Sequence, residues 1–345
     1  MPSISIALAT RNGETYLPAQ LESLAAQTAP PHELVVTDDG SDDRTVAIVE
    51  RFAIRAPFPV RLSVNEATLG YRRNFLQAAG LCSGDLIAFC DQDDVWNADK
   101  LAVMTPVFDD PEVMFAYHNA ILIDAGGRPC GRLYRGIEGA KDFPPLARDP
   151  WISPPGFTQI FRRDLMRFSQ MHGATFDVDW PQEPLAHDQW FALLASVLGH
   201  VVYVRKPLAL YRQHGGNTFG AYPDRRARLF RLARGEKFIR LAARASRNRV
   251  ELLERLQADL VPAQRERAQR GIAYYDALSR SLDARLPVYA SASIAQRFGA
   301  LWTLLRSGAY GKRNGSARFT GLDLAMDAYL AVPFGPRLQR MLPWS

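Results

Sequence analysis

Leu86-Ile87-Ala88-Phe89-Cys90-Asp91-Gln92-Asp93-Asp94 is the stretch of this sequence that decides the fold. A short apolar run of this kind is typical of a β-strand buried on both faces, and an acidic tetrad follows it directly. Carboxylates one residue apart at a strand end can direct oxygen ligands to one hard cation, Mg²⁺ or Mn²⁺. An acidic turn that caps the next helix is the alternative interpretation.

Toward the N-terminus, short apolar runs alternate with helical patterns. Strands are predicted at Ser3–Ala9, Glu33–Thr37, Val60–Val64 and Asp85–Cys90, with helices at Tyr16–Gln27, from about Asp43, and at Arg72–Leu81. This alternation indicates an α/β fold with a Rossmann-like, mostly parallel sheet flanked by helices. Ligands of such sheets bind beyond the carboxyl ends of the strands. Two further polar loops follow strands there, Thr10-Arg11-Asn12 and Asp38-Asp39-Gly40-Ser41.

The pattern changes after the acidic tetrad. Strands are predicted at Val113–His118, Ala120–Asp124 and Val201–Val204, with a tight turn between the first two. From about Asp224 onward the sequence is helical and rich in arginine. We therefore predict a catalytic domain at residues 1–223 and a basic, mainly helical appendage at residues 224–345.

Composition narrows the class of protein. The chain has 345 residues, 47% of them hydrophobic, and a net charge of +6, which indicates a folded rather than a disordered chain. The three cysteines form no CxxC pair, and the N-terminus lacks the features of a secretory signal, so we expect a cytoplasmic protein. The sequence contains neither GxGxxG after its first strand nor GxxxxGK[ST], which disfavours a dinucleotide fold and a P-loop.

Three further segments carry side chains suited to chemistry. Gly70-Tyr71-Arg72-Arg73-Asn74 places two guanidinium groups at a helix start, where phosphate binds well. In His187-Asp188-Gln189-Trp190, Asp188 suits a general base and Trp190 a sugar-stacking face, or the two are a helix cap and a core residue. In Tyr211-Arg212-Gln213-His214, the imidazole is a competent metal ligand.

The order of these motifs resembles that of family 2 glycosyltransferases of the GT-A fold, especially bacterial rhamnosyltransferase-like enzymes of surface-polysaccharide synthesis. The resemblance covers roughly residues 1–220. It rests on an ordered set of segments: Ala9-Thr10-Arg11-Asn12-Gly13, Val36-Thr37-Asp38-Asp39-Gly40-Ser41, Leu69-Gly70-Tyr71-Arg72-Arg73-Asn74, Phe89-Cys90-Asp91-Gln92-Asp93-Asp94-Val95-Trp96, His187-Asp188-Gln189-Trp190 and Tyr211-Arg212-Gln213-His214. Gln189 departs from the family pattern, because relatives often carry an aromatic residue there.

The resemblance implies a role for each matching residue. The donor would be bound by Thr10, Arg11, Asp38, Asp39, Arg73 and Asp91. Asp91 and Asp93 would form the DxD metal site with His214 as an additional ligand, Asp188 would be the catalytic base, and Trp190 would contact the acceptor. The implied cofactor is Mg²⁺ or Mn²⁺, and the implied partners are a nucleotide-diphosphate sugar and a glycan or lipid-linked glycan acceptor.

The function we predict is therefore inverting transfer of a sugar, with rhamnose as one option, to an acceptor hydroxyl. Two alternatives stay open: a sugar nucleotidyltransferase, which would release pyrophosphate, and a basic nucleic-acid-binding protein, although no nucleic-acid motif supports the latter. Arginines from Arg225 to Arg249 interleave with apolar residues, which predicts either an amphipathic helix on an anionic membrane or a helix whose apolar side packs on the catalytic domain.

Overall fold

The computed structural model of the chain describes residues 2–134, 141–215, 235–311, 319 and 321–334. Within these ranges one sheet contains ten strands. The strands are β1 (Ile4–Thr10), β2 (Glu33–Asp38), β3 (Val60–Val64), β4 (Leu86–Cys90), β5 (Val95–Trp96), β6 (Val113–Asp124), β7 (Pro129–Arg132), β8 (Lys141–Phe143), β9 (Gln159–Arg162) and β10 (His200–Gln213).

The sheet has a parallel half and a mixed half. The main path runs β3-β2-β1-β4-β9-β6-β10-β5, with β7 on β6 and β8 on β10. Strands β3, β2, β1 and β4 are parallel to one another, so their carboxyl ends meet at one edge. Strand β9 runs antiparallel between β4 and β6. The predicted four-strand α/β core is confirmed. The mixed half of the sheet adds antiparallel strand pairs that the strand–helix alternation near the N-terminus does not predict.

The predicted turn between two strands near Asn119 is wrong, because β6 runs unbroken from Val113 to Asp124. Asn119 lies inside that strand, where a buried polar side chain needs hydrogen-bond partners. Its Nδ2 donates to the carbonyl oxygen of Tyr134 at 3.0 Å, and its Oδ1 accepts from the backbone N–H of Tyr134 at 2.9 Å. The side-chain amide therefore satisfies a neighbouring backbone segment and does not end the strand.

Helices cover the sheet of the N-terminal half. Their apolar faces follow the predicted spacing: Leu17, Leu21 and Leu24 of the first helix are all buried. The helices in this part of the chain are α1 (Leu17–Ala25), α2 (Thr45–Arg55), α3 (Tyr71–Leu81), α4 (Lys100–Met104) and α5 (His187–Leu198), with 3₁₀ turns at Thr105–Asp109, Gly156–Thr158 and Arg163–Ala174.

The chain divides into two compact units. Unit 1 contains residues 1–144, 150–170 and 185–221, and unit 2 contains residues 145–149, 171–184 and 222–345. Two short segments that precede residue 222 thus belong to the second unit, which a single boundary in the sequence does not anticipate. The helices of unit 2 are α6 (Gly235–Leu256), α7 (Pro262–Ala290), α8 (Ile294–Arg306), α9 (Gly321–Met326) and α10 (Val332–Phe334), with a 3₁₀ turn at Gln257–Asp259 and a π-helical turn at Asp327–Ala331.

The basic segment is described only from Gly235 onward; Arg225, Arg226, Arg228, Leu229, Phe230, Arg231, Leu232 and Arg234 lie outside the described residues. In the described part, α6 packs along α7 and buries Ile239, Leu252 and Leu256. Arg247 pairs with Asp283 at 2.8 Å. In the part of the segment that the structure describes, the apolar side of α6 is covered by α7 within unit 2; a membrane role for the whole segment stays a prediction.

A buried ionic cluster joins α7 to the C-terminal helices of unit 2. The guanidinium of Arg285 donates to Asp327 at 2.7 and 2.8 Å and to Asp323 at 3.1 Å, and the Tyr289 hydroxyl donates to Asp327 at 2.6 Å. Burial by itself lowers the pKa of Arg285, but the two carboxylates outweigh that effect, so the pKa is raised. None of the described helices combines the length and apolar character needed to cross a bilayer.

Candidate active site

Asp38 joins the loops that follow β1 and β2. One of its carboxylate oxygens accepts from the hydroxyls of Thr10 at 2.8 Å and Ser41 at 2.6 Å. Ser41 in turn accepts from the backbone N–H of Asn12 at 2.9 Å, where the backbone is left-handed with φ 47°. Asn suits that conformation better than most residues. The parallel strands and this carboxylate together bring the two predicted donor loops into contact.

Asp39 joins the end of β2 to the loop before α3. Its oxygens accept from the backbone N–H groups of Leu69 at 2.7 Å and Gly70 at 2.9 Å, and from Asn65 at 2.9 Å. A carboxylate has about four acceptor positions, so Asp39 keeps some capacity for a ligand. Asp38 and Asp39 are both buried and hold the neighbouring loops together through hydrogen bonds. Their contact with a nucleoside stays a prediction.

Gln92 joins the acidic loop to the first donor loop. Its side-chain amide accepts from the backbone N–H of Arg11 and donates to the Arg11 carbonyl, both at 2.9 Å. Gly13 permits this pairing, because a Cβ at that position would lie 2.4 Å from Gln92 Oε1. The side chains of Arg11 and Arg73 are exposed, and their contact with the donor stays a prediction.

Three carboxylates gather at the end of β4. Burial, followed by the negative charges of Asp93 and Asp188, raises the pKa of Asp91 to about 8. His214, which directly follows β10, lies with Nε2 at 2.8 Å from Asp93 Oδ2. Asp188 comes from α5 and Asp91 from the end of β4, so these residues, distant in sequence, form one acidic cluster in unit 1. We call Asp91, Asp93, Asp188 and His214 the acidic cluster below.

The acidic cluster suits a divalent cation that takes few protein ligands. Within the described ranges no three His, Cys, Asp or Glu side chains already surround one cation position. Mg²⁺ commonly uses one or two carboxylates and takes its remaining ligands from phosphates and water. The negative charge of Asp93 disfavours the ionised form of Asp91, and a cation held by both carboxylates would remove that repulsion. The pair therefore fits the predicted metal, with His214 in contact with one member.

Asp188 is held in place by its neighbours in sequence and space. Its Oδ1 accepts from the backbone N–H of Gln189 at 2.8 Å. The preceding residue, His187, stacks on Phe75 with ring centroids 4.0 Å apart. Gly156 allows this close packing, because a Cβ there would lie 2.7 Å from His187 Nε2. The start of α5 is thus anchored in the core, and the carboxylate at its first turn acts electrostatically on Asp91.

The predicted acceptor contact of Trp190 is wrong. Trp190 is 0% exposed, so its ring cannot offer a face to a sugar. It lies two residues after Asp188 on α5, on the side of the helix that packs into the core. Gln189, which departs from the family pattern, accepts from the backbone N–H of Ala186 at 2.8 Å through its side chain, so it caps the helix.

Lys100 is a site residue that the sequence analysis missed. It is fully buried, its Nζ donates to the Phe157 carbonyl at 2.7 Å, and it lies 3.3 Å from the ring centroid of Trp96. Burial lowers the pKa of Lys100 to about 7, while the charges of Cys90, Asp94 and Asp91 oppose that shift. The available signal was a single lysine followed by apolar residues, six residues after the acidic tetrad.

Asp94 is a buried carboxylate on which Lys100 acts electrostatically. It is 0% exposed; Oδ1 accepts from the backbone N–H of Arg212 at 3.0 Å, and Oδ2 lacks a partner among the described residues. Burial and the charges of Asp91 and Asp93 raise the pKa of Asp94 well above its usual range. The charge of Lys100 opposes this shift, so Lys100 interacts electrostatically with Asp94 as well as with Asp91.

We expect Lys100→Met to lower the free energy of unfolding by about 1–3 kcal/mol near neutral pH, because the buried carbonyl of Phe157 would lose its hydrogen-bond donor and Asp94 would lose the nearby charge that favours its ionised form. Denaturant unfolding measures the change. The double variant Lys100→Met with Asp94→Asn is the control and should recover part of the loss. Equal stability of the single variant and the native chain would mean that neither the hydrogen bond to Phe157 nor the charge of Lys100 stabilises the folded state.

Residues 5–174 match the family described as Glycosyl transferase family 2, and this part of the chain belongs to that family. An uncharacterized glycosyltransferase of Nostoc sp. is 26% identical over 62% of this chain and 66% of its own length. The dTDP-rhamnosyl transferase RfbG of Shigella flexneri is 29% identical over 65% of this chain and 78% of its own length. The chain spans 62% of a further relative, an uncharacterized protein of Mycobacterium bovis.

Similarity to solved structures supports the fold. The crystal structure of S. aureus TarS 1-349 in complex with UDP-GlcNAc superposes with a TM-score of 0.53, covering 88% of this chain and 81% of the other at 20% identity. Identity this low shows the fold alone, and the predicted GT-A fold is confirmed.

Proposed function

We propose that this chain is an inverting glycosyltransferase that moves a sugar from a nucleotide-diphosphate sugar to an acceptor hydroxyl. The observation that carries the proposal is the acidic cluster, in which a base candidate on α5 and a metal-binding pair after β4 share one edge of the sheet. Family membership supports the same reaction class.

The carboxylates of the acidic cluster have two tasks in a single displacement. Asp188 takes the proton of the acceptor hydroxyl as its oxygen bonds to the anomeric carbon. The bond from that carbon to the diphosphate oxygen breaks, and its electron pair leaves with the nucleoside diphosphate. Attack and departure on opposite faces invert the configuration. A divalent cation held by Asp91 and Asp93 would stabilise the negative charge that develops on the diphosphate.

The donor sugar is proposed from relatives and not from contacts. RfbG is named a dTDP-rhamnosyl transferase, which makes dTDP-rhamnose the first donor to test. An E. coli relative, 32% identical over 35% of this chain and 47% of its own length, is named UDP-Glc:alpha-D-GlcNAc-diphosphoundecaprenol beta-1,3-glucosyltransferase WfgD. That name supports a lipid-linked glycan acceptor, and we propose on that ground that the enzyme works at a membrane surface.

Donor choice is tested by saturation-transfer NMR. The full chain is screened with dTDP-rhamnose, UDP-glucose and UDP-GlcNAc in the presence of Mg²⁺ or Mn²⁺, and saturation should pass to one nucleotide sugar. The reaction product is then identified: nucleoside diphosphate supports sugar transfer, and pyrophosphate would instead indicate a nucleotidyltransferase. Salt-sensitive binding to DNA with no nucleotide-sugar binding would overturn the proposal in favour of a nucleic-acid-binding protein.

A further inference from the structure

Helix α8 presents an exposed apolar row. Ile294, Phe298, Trp302 and Leu305 are 60%, 59%, 49% and 39% exposed. Their spacing of four, four and three residues places them on one face of the helix. Single exposed apolar residues are ordinary on protein surfaces, but a contiguous row that includes Phe and Trp marks an interaction site. We call these four residues the α8 row.

The α8 row is distinct from the face by which α8 packs within unit 2. That face carries Arg297, Leu301 and Leu304, all buried. Arg297 ties α8 to α10, because its Nε donates to the Val332 carbonyl at 2.8 Å. The helix is therefore anchored through one face while an adjacent apolar face remains exposed.

The sequence around the α8 row carries charges of one sign. No acidic residue occurs between Asp283 and Asp323, while the same stretch contains Arg306, Lys312, Arg313 and Arg318, besides Arg285 and Arg297, which are buried within unit 2. Arg306 is exposed and its guanidinium lies 5.1 Å from the ring centroid of Trp302. Lys312, Arg313 and Arg318 are outside the described residues and enter here by sequence alone. An aromatic-apolar face bordered by cations is the composition of helices that lie in a membrane interface.

We propose that the α8 row is a docking surface for an anionic lipid bilayer. Trp and Phe favour the depth between headgroups and acyl chains, and the basic residues add attraction to anionic headgroups. A second copy of the chain is a poorer occupant, because pairing two such stretches would bring like charges together. The membrane-binding element of this proposal is α8, whose apolar row is accessible, and not α6, whose apolar face is buried.

Vesicle co-sedimentation tests the proposal with the full chain and without substrate, so its failure is separable from failure of the proposed sugar transfer. The native chain should bind vesicles of phosphatidylglycerol and phosphatidylcholine more tightly than vesicles of phosphatidylcholine alone. Phe298→Ser with Trp302→Ser should weaken binding by about tenfold or more, because two aromatic side chains lose their burial in the interface. The matched control is Ile54→Ser with Trp180→Ser, which removes side chains that are 89% and 54% exposed elsewhere.

A second measurement needs no disruptive variant. Vesicles with brominated acyl chains quench nearby tryptophan, so they should quench the bound native protein. Trp302→Phe should keep the binding and lose most of the quenching, whereas Trp180→Phe should lose little. Equal vesicle binding by the native chain and the double serine variant would overturn the proposal. If vesicle binding is unchanged but the double serine variant has a lower thermal midpoint, another part of the chain covers the α8 row and the proposal is overturned. If vesicle binding is unchanged but its oligomeric state differs, a second copy covers the α8 row, which also overturns the proposal.

Discussion

Replacement of Asp188 by Asn is expected to lower turnover by about 10²–10⁴-fold, the usual contribution of a general base, while donor affinity stays close to that of the native chain. Asn keeps the size of the side chain and can still accept from the backbone N–H of Gln189, as Asp188 does at 2.8 Å. The start of α5 should therefore keep its geometry. Single-turnover rates and donor titration with the donor found by NMR separate the two effects.

The matched control for this variant is Asp164→Asn, which neutralises an exposed carboxylate outside the acidic cluster. It should leave both turnover and donor affinity unchanged. If Asp188→Asn instead abolishes donor binding while bound donor reacts at the native rate, Asp188 is a ligand contact or a helix cap and not the base.

Replacement of Asp91 and Asp93 together by Ala should abolish measurable turnover and weaken binding of the nucleoside diphosphate, because the cation would lose both carboxylate ligands. The fold should persist. Burial, followed by the charges of Asp93 and Asp188, raises the pKa of Asp91, so removal of Asp91 and Asp93 relieves an unfavourable interaction, and we expect no loss in the free energy of unfolding. Calorimetry of nucleoside-diphosphate binding with and without Mn²⁺, and the thermal midpoint, measure these outcomes.

The control for the double variant is Glu251→Ala with Glu254→Ala, which removes two exposed carboxylates from α6. Full activity of the Asp91/Asp93 variant in EDTA would rule out the metal assignment. His214→Ala should have a milder effect and raise the metal concentration needed for activity, because His214 contacts only Asp93 of the pair, at 2.8 Å.

The local order of elements was predictable from residue types. Buried strands such as Leu86–Cys90 are continuous apolar runs, and α1 repeats leucine at helical spacing, so short-range periodicity indicated both. Polar loops directly after such strands indicated that a ligand binds at one edge of the sheet, because parallel strands end on the same side. The predictions that went wrong concern residues with two local interpretations. Asn119 suits a turn or a satisfied position in a strand, and Trp190 suits a sugar platform or the core.

The sequence by itself determined the parallel core, the position of the carboxylates at strand ends and the family, because these depend on neighbours a few residues apart. Only the tertiary structure decided that Trp190 is buried, that Lys100 interacts electrostatically with Asp91 and Asp94, and that His214 meets Asp93. It also decided which amphipathic helix of unit 2 is covered and which remains exposed. The physical reason is that burial and charge pairing depend on residues distant in sequence, whose positions follow only when the whole sheet and its helices have packed.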